Sequence, residues 1–102
     1  MRYLLNSPVL AEFGEYKYRE PREGEVAEFA TATSAVGHPG TAEVMSAVLG
    51  FQVEAQRLYV RLEPGDSALV FQVTERLPEG KVLSAKELRE VKYRLGVMER
   101  LA

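Results

Sequence analysis

His38 is the only histidine in a chain of 102 residues, and it stands in Gly37-His38-Pro39-Gly40-Thr41, just ahead of an apolar stripe at helical spacing. Imidazole is the side chain whose unperturbed pKa lets it hold or release a proton near pH 7, so this residue is the first candidate for proton transfer. The plainer reading is a hydrogen-bonded or surface histidine in a turn. Its surroundings argue for more, because free amides at a helix start bind anions and Gly37 and Gly40 let a phosphate approach the backbone. Arg76 and Glu79 bracket Leu77-Pro78 at the end of a predicted central strand, where a guanidinium can grip a phosphate through two parallel hydrogen bonds. The alternative there is an exposed ion pair beside an ordinary turn. Arg57 and Arg61 flank Tyr59 on one strand face, a pattern that either holds a nucleotide backbone and stacks a base or simply meets water. Gln72 interrupts an apolar run. A buried amide without partners costs roughly 1 to 3 kcal/mol, so Gln72 is either a structural hydrogen bonder or a base-reading group. Asn6 has the same two readings.

These side chains need elements to position them. Residues 2 to 5 read as an apolar strand stopped by Asn6-Ser7-Pro8. Residues 15 to 19 alternate, with Tyr16 and Tyr18 on one face, which predicts an edge strand closed by Pro21. A short helix is expected after Pro21, with Val26, Ala27, Phe29 and Ala30 at helical spacing. Residues 33 to 36 predict a short strand that runs into the His38 turn. From Thr41 the stripe Val44, Met45, Val48 and Leu49 marks a helix, with Glu43 near its positive end and Gly50 as C-cap. Alternation of Leu58, Val60 and Leu62 predicts a strand, turned at Glu63-Pro64-Gly65-Asp66 into a second one from Ser67 to Thr74, so that the two make a hairpin. The run Ala68-Leu69-Val70-Phe71 is apolar on both faces, which places it centrally with helices on at least one side. The spacing of Ser84 and Glu87 is that of a capping box opening a last helix, and residues 93 to 101 can form a last strand. The expected fold class is α/β or α+β: one domain over residues 1–102, with a mixed sheet flanked by helices.

Composition narrows the chemistry. Lys plus Arg is 13 and Asp plus Glu is 15, a net charge of -2, whereas a DNA coat working by counterion release wants a basic surplus, so no stable DNA binding is expected. There is no cysteine, which removes disulfides, thiolate metal sites and cysteine nucleophiles together. With one histidine a zinc site would rest mostly on carboxylates, so no metal is expected. The sequence holds no P-loop, dinucleotide fingerprint or nucleophile elbow. No run approaches the roughly 20 apolar residues that span a bilayer, and the opening apolar run is too short for a secretory signal, so the expectation is a cytoplasmic protein with no membrane partner. Small chains bury only about 60% of their unfolded surface, which makes a homodimer a reasonable expectation.

Taken together, Leu4-Leu5-Asn6-Ser7, the segment from Ser34 to Ala42, Gln56-Arg57, Pro64-Gly65-Asp66, Val70-Phe71-Gln72 and Arg76-Leu77-Pro78-Glu79-Gly80 resemble, in order and spacing, the viral anti-CRISPR ring nucleases, a family also found in bacteria and in CRISPR-associated settings. The resemblance runs from about residue 2 to the C-terminus. It implies a two-fold homodimer that binds cyclic tetra-adenylate across its axis and cuts it, without metal or other cofactor, into linear di-adenylates, silencing the ancillary nucleases of type III CRISPR defence. On this resemblance His38 is the general acid, Arg76 stabilises the phosphate, and Glu79 orients the ribose 2′-hydroxyl or His38. Asn6, Thr41, Arg57 and Gln72 match positions that contact ligand or shape the pocket, and Gly37 and Gly40 lie in the same phosphate-binding turn. Two rivals stand beside it: a module that sequesters a cyclic nucleotide or nucleic acid without cutting it, and a DNA- or partner-binding dimer, which the acidic balance opposes.

Overall fold

The run that is apolar on both faces becomes the middle of the sheet. In the computed structural model, which describes residues 1–8, 12–75 and 83–102, Ala68, Leu69, Val70 and Phe71 are all 0% exposed. In chain order the strands are β1 (Arg2–Leu5), β2 (Tyr16–Arg19), β3 (Thr33–Ser34), β4 (Ser67–Val73) and β5 (Tyr93–Arg100), joined by helices α1 (Pro39–Leu49) and α2 (Ala85–Glu90) and a 3-10 turn at Val26–Phe29. The five strands form one sheet in the order β2-β5-β4-β1-β3. β1 is parallel to β3 and β4, while β5 is antiparallel to β4 and β2. This is an α+β domain built on a mixed sheet.

Successive side chains of a strand point to opposite faces. One face therefore presents Leu4, Leu69, Phe71 and Val97, which pack with Val44 and Met45 of α1, Leu88 of α2 and Phe29. The other presents Leu5, Ala68, Val70 and Met98, covered by Val60 and Leu62. The edge strand β2 is tied down by charge as well as by its ladder. Arg19 makes a two-pronged pair with Glu25 at 2.7 Å for each hydrogen bond and a third bond to Glu99 of β5, also 2.7 Å. Planar guanidinium matches carboxylate geometry, which fixes the 3-10 turn against the sheet.

Several expectations change here. The hairpin between residues 58–62 and β4 is absent: residues 56–63 carry no strand, because β1 and β5 already occupy both sides of β4. The alternation reports a loop pressed on the sheet, with Leu62 only 1% exposed. The helix expected after Pro21 is a 3-10 turn. The strand expected from residue 33 to 36 keeps only Thr33–Ser34, beyond which Val36 forms an isolated parallel bridge to Ala55. Helix α1 begins at Pro39, two residues before the start of the stripe, and its first turn holds no acidic residue, so Glu43 lies beyond it. The edge strand β2, the capping box at Ser84 and Glu87, and the last strand form as the sequence predicts.

Candidate functional site

Three parallel strands release the chain at their carboxyl ends, the edge at which open sheets form ligand crevices. Asn6 follows β1 directly, and Ala35 to His38 follow β3. His38 is extended (φ -111°, ψ 114°) and caps α1, with Pro39 filling the first helical position, where the missing N–H costs nothing. The backbone amide of Thr41 donates to His38 Nδ1 at 3.2 Å, and Thr41 Oγ1 lies 3.4 Å from the same nitrogen. An acceptor at Nδ1 means that the neutral ring carries its proton on Nε2. Thr41 itself is buried, 8% exposed, so the ring is referred to a fixed point of the helix. Gly40 sits in the first turn beside it.

Arg57 reaches this place through a clamp on the edge of β3. The Gln56 amide donates to the Val36 carbonyl at 2.9 Å, Gln56 Nε2 to the Ser34 carbonyl at 3.0 Å, and Ser34 Oγ to the Glu54 carbonyl at 2.6 Å. The side chain of Arg57 then lies over Gly37: a Cβ added there would stand 3.0 Å from Arg57 Cγ. Glycine at 37 thus admits the arginine stem against the backbone. Beyond Arg57, Leu62 is anchored in the core, its carbonyl held by the Arg100 guanidinium. Arg61 pairs with Glu12 at 2.7 Å.

The result is one cleft of about 480 Å³ lined by Asn6, Ala35, Gly37, His38, Arg57, Leu58 and Tyr59. Arg57 is the one formal charge among these lining residues when His38 is neutral, so the cleft favours an anion. Asn6, Gly37, His38 and Arg57 are brought together as the sequence suggests, with Thr41 directly behind the imidazole. Gln72 is not among the described lining residues. It lies on the loop-covered face of the sheet, where Arg94 Nη2 donates to its Oε1 at 2.9 Å, a partner that no spacing in the sequence indicates. Arg57 and Arg61 part company, one into the cleft and the other to Glu12. Leu58 and Ala35 join the lining without a sequence signal of their own. Arg76 and Glu79 lie outside the described residues. Among the described residues no group of three His, Asp or Glu is placed to hold a metal ion, and no helix is long and apolar enough to cross a membrane.

Residues 2–95 match the family model described as STIV B116-like. The chain belongs to the STIV B116-like family. This B116-like chain is 38% identical to the uncharacterized protein ORF116 of Acidianus filamentous virus 1 over 58 residues, 57% of this chain and 50% of that protein. It thus spans half the length of that viral relative. The uncharacterized protein YddF of Bacillus subtilis is 29% identical over 102 residues, 95% of this chain and 94% of its own. Among solved structures, B116 of Sulfolobus turreted icosahedral virus superposes with a TM-score of 0.77 at 26% identity, covering 97% of this chain and 98% of that one. The B116-like fold therefore occurs in archaeal viruses, and a bacterial chain matches this one in sequence along nearly its whole length.

Proposed function

We propose that this B116-like protein is a metal-independent ring nuclease that cleaves cyclic tetra-adenylate to linear di-adenylates as a two-fold homodimer in the cytoplasm. The observation that carries the reading is the meeting of Asn6, Gly37, His38 and Arg57, from three separate segments, around one anion-favouring cleft at a helix start. The resemblance of its motifs to the anti-CRISPR ring nucleases supplies the substrate class. A ring of four identical nucleotides contains a two-fold axis, so an isologous dimer offers each half the same pocket.

The reaction asks little of a small site. The ribose 2′-oxygen attacks the adjacent phosphorus in line, the bond from phosphorus to the 5′-oxygen breaks, and a 2′,3′-cyclic phosphate forms. The 2′-hydroxyl proton leaves to solvent, Glu79 orients the 2′-hydroxyl or His38 in the assignment carried by the resemblance, and His38 delivers a proton to the departing 5′-oxygen. No water is consumed. Arg57, and Arg76 in the assignment carried by the resemblance, balance charge on the phosphate; Asn6, Thr41, Gly37, Gly40 and Gln72 bind or shape. Alignment, proton transfer and fixed charge are the effects that such a site can supply. With Nδ1 engaged by Thr41, Nε2 is the nitrogen available to the ligand. When the ring takes a second proton, Nδ1 turns from acceptor to donor, and Thr41 Oγ1 is the neighbour placed to receive it.

One observation favours a second reading, a module that sequesters a cyclic nucleotide or nucleic acid without cutting it: His38 already has structural work as the cap of α1. Incubating the protein with cyclic tetra-adenylate in excess EDTA, resolving products by chromatography and running His38→Ala in parallel separates the two. Conversion to di-adenylates by the native protein, with a variant that binds and does not cut, is the expected result. Tight binding without turnover selects the sequestering module, and neither binding nor cutting removes both.

A further inference from the structure

Tyr59 is an aromatic ring left 69% exposed on the wall of the cleft, beside Leu58 at 44%. Neither belongs to the core, although the loop that carries them is well fastened: Val60 and Leu62 pack under the sheet, Arg61 is paired with Glu12, and Gln56 is hydrogen-bonded to β3. The backbone therefore holds the ring in place while the fold makes no use of its apolar faces. In the same cleft, Arg57 supplies a positive charge and His38 presents Nε2, the ring nitrogen not engaged by Thr41, and both suit a phosphate.

We infer that Tyr59 is a stacking platform for one nucleobase of a ligand whose phosphate lies between Arg57 and His38. The inference rests on the nucleotide reading above and adds a specificity-determining residue to it. Stacking on an aromatic side chain uses the π-face that every base has, and a purine offers the larger one. The neighbouring Arg61 is turned to Glu12 and is not among the residues lining the cleft, so Tyr59 is the aromatic group that this loop offers to a base, beside Arg57 for the phosphate. Leu58 extends the apolar wall.

The test is equilibrium binding of cyclic tetra-adenylate, at a temperature too low for turnover, to the wild-type protein, Tyr59→Phe and Tyr59→Ala, with thermal melts as a check on folding. Tyr59→Phe keeps the ring and is expected to bind within about twofold of wild type, whereas Tyr59→Ala is expected to lose about 5- to 150-fold with an unchanged melt. In the wild type, the ring protons of Tyr59, assigned by their loss in Tyr59→Ala, should shift upfield on adding ligand, which a merely structural tyrosine would not do. Tight wild-type binding matched by Tyr59→Ala, with no ring-proton shift, overturns the inference and leaves the nucleotide site standing. A wild-type protein that binds no cyclic tetra-adenylate overturns the proposed function and this inference with it.

Discussion

The backbone amide of Thr41 donates to His38 Nδ1 at 3.2 Å, so the one histidine of the chain is also the N-cap of α1. Capping side chains contribute typically about 1 kcal/mol. His38→Ala is expected to lose that amount together with all cleavage. His38→Asn, whose Oδ1 can stand where Nδ1 stood, should keep most of the stability and still not cleave. Urea unfolding of the three proteins beside product chromatography checks both halves; equal stability of the Ala and Asn variants would mean that the cap contributes nothing. The same bond predicts that nitrogen-15 NMR of the free protein finds the neutral ring as the Nε2-protonated tautomer.

Gly37 is expected to act through Arg57. A Cβ at this position meets Arg57 Cγ at 3.0 Å, so the exposed arginine stem must shift from its place over Gly37. Gly37→Ala should therefore weaken binding of cyclic tetra-adenylate while moving stability by less than about 1 kcal/mol. Arg57→Ala should weaken binding to a similar degree. Because both changes act on one side chain, the double variant is expected to be no worse than Arg57→Ala, and additive losses in a double-mutant cycle would refute the coupling.

Leu62 is the buried anchor of the loop that presents Arg57 and Tyr59, 1% exposed among Leu5, Ala68 and Val70. Leu62→Ala should cost about 2 to 5 kcal/mol, since truncating a buried leucine loses both transfer energy and packing. A smaller loss, read by chemical denaturation, would mean that the loop is not fastened through this side chain.

The Arg19 guanidinium, followed by the Arg22 amide, holds the Glu25 carboxyl down from its ordinary 4.5 to about 2. A carboxylate with a depressed folded-state pKa contributes stability that is fully present above its unfolded value and lost as pH falls through its folded one. Stability from this pair should thus be complete above about pH 4.5 and fall away towards pH 2. Glu25→Gln is expected to be less stable at pH 7 and to show a flatter decline across that window in circular dichroism melts. An unchanged slope would place the acid sensitivity elsewhere.

Much of the fold is written locally. Ala68 to Phe71, apolar on both faces, announces the central strand; the capping box at Ser84 and Glu87 and the glycine after Leu49 mark helix ends through short-range hydrogen bonding and backbone freedom. The His38 turn is legible for the same reason, since its chemistry needs only a helix start, two glycines and an imidazole. What required the tertiary structure is everything set by who lies beside whom. Alternation at residues 58–62 fits a strand or a loop pressed on a sheet, and only the prior occupation of both edges of β4 by β1 and β5 decides for the loop. That decision sends Arg57 and Tyr59 to the cleft, Arg61 to Glu12 and Gln72 to Arg94. Residue type and spacing determine which chemistry a chain can offer, while long-range pairing determines which of its groups converge, because a strand's neighbours are chosen by burial across the whole sheet and not by its own pattern.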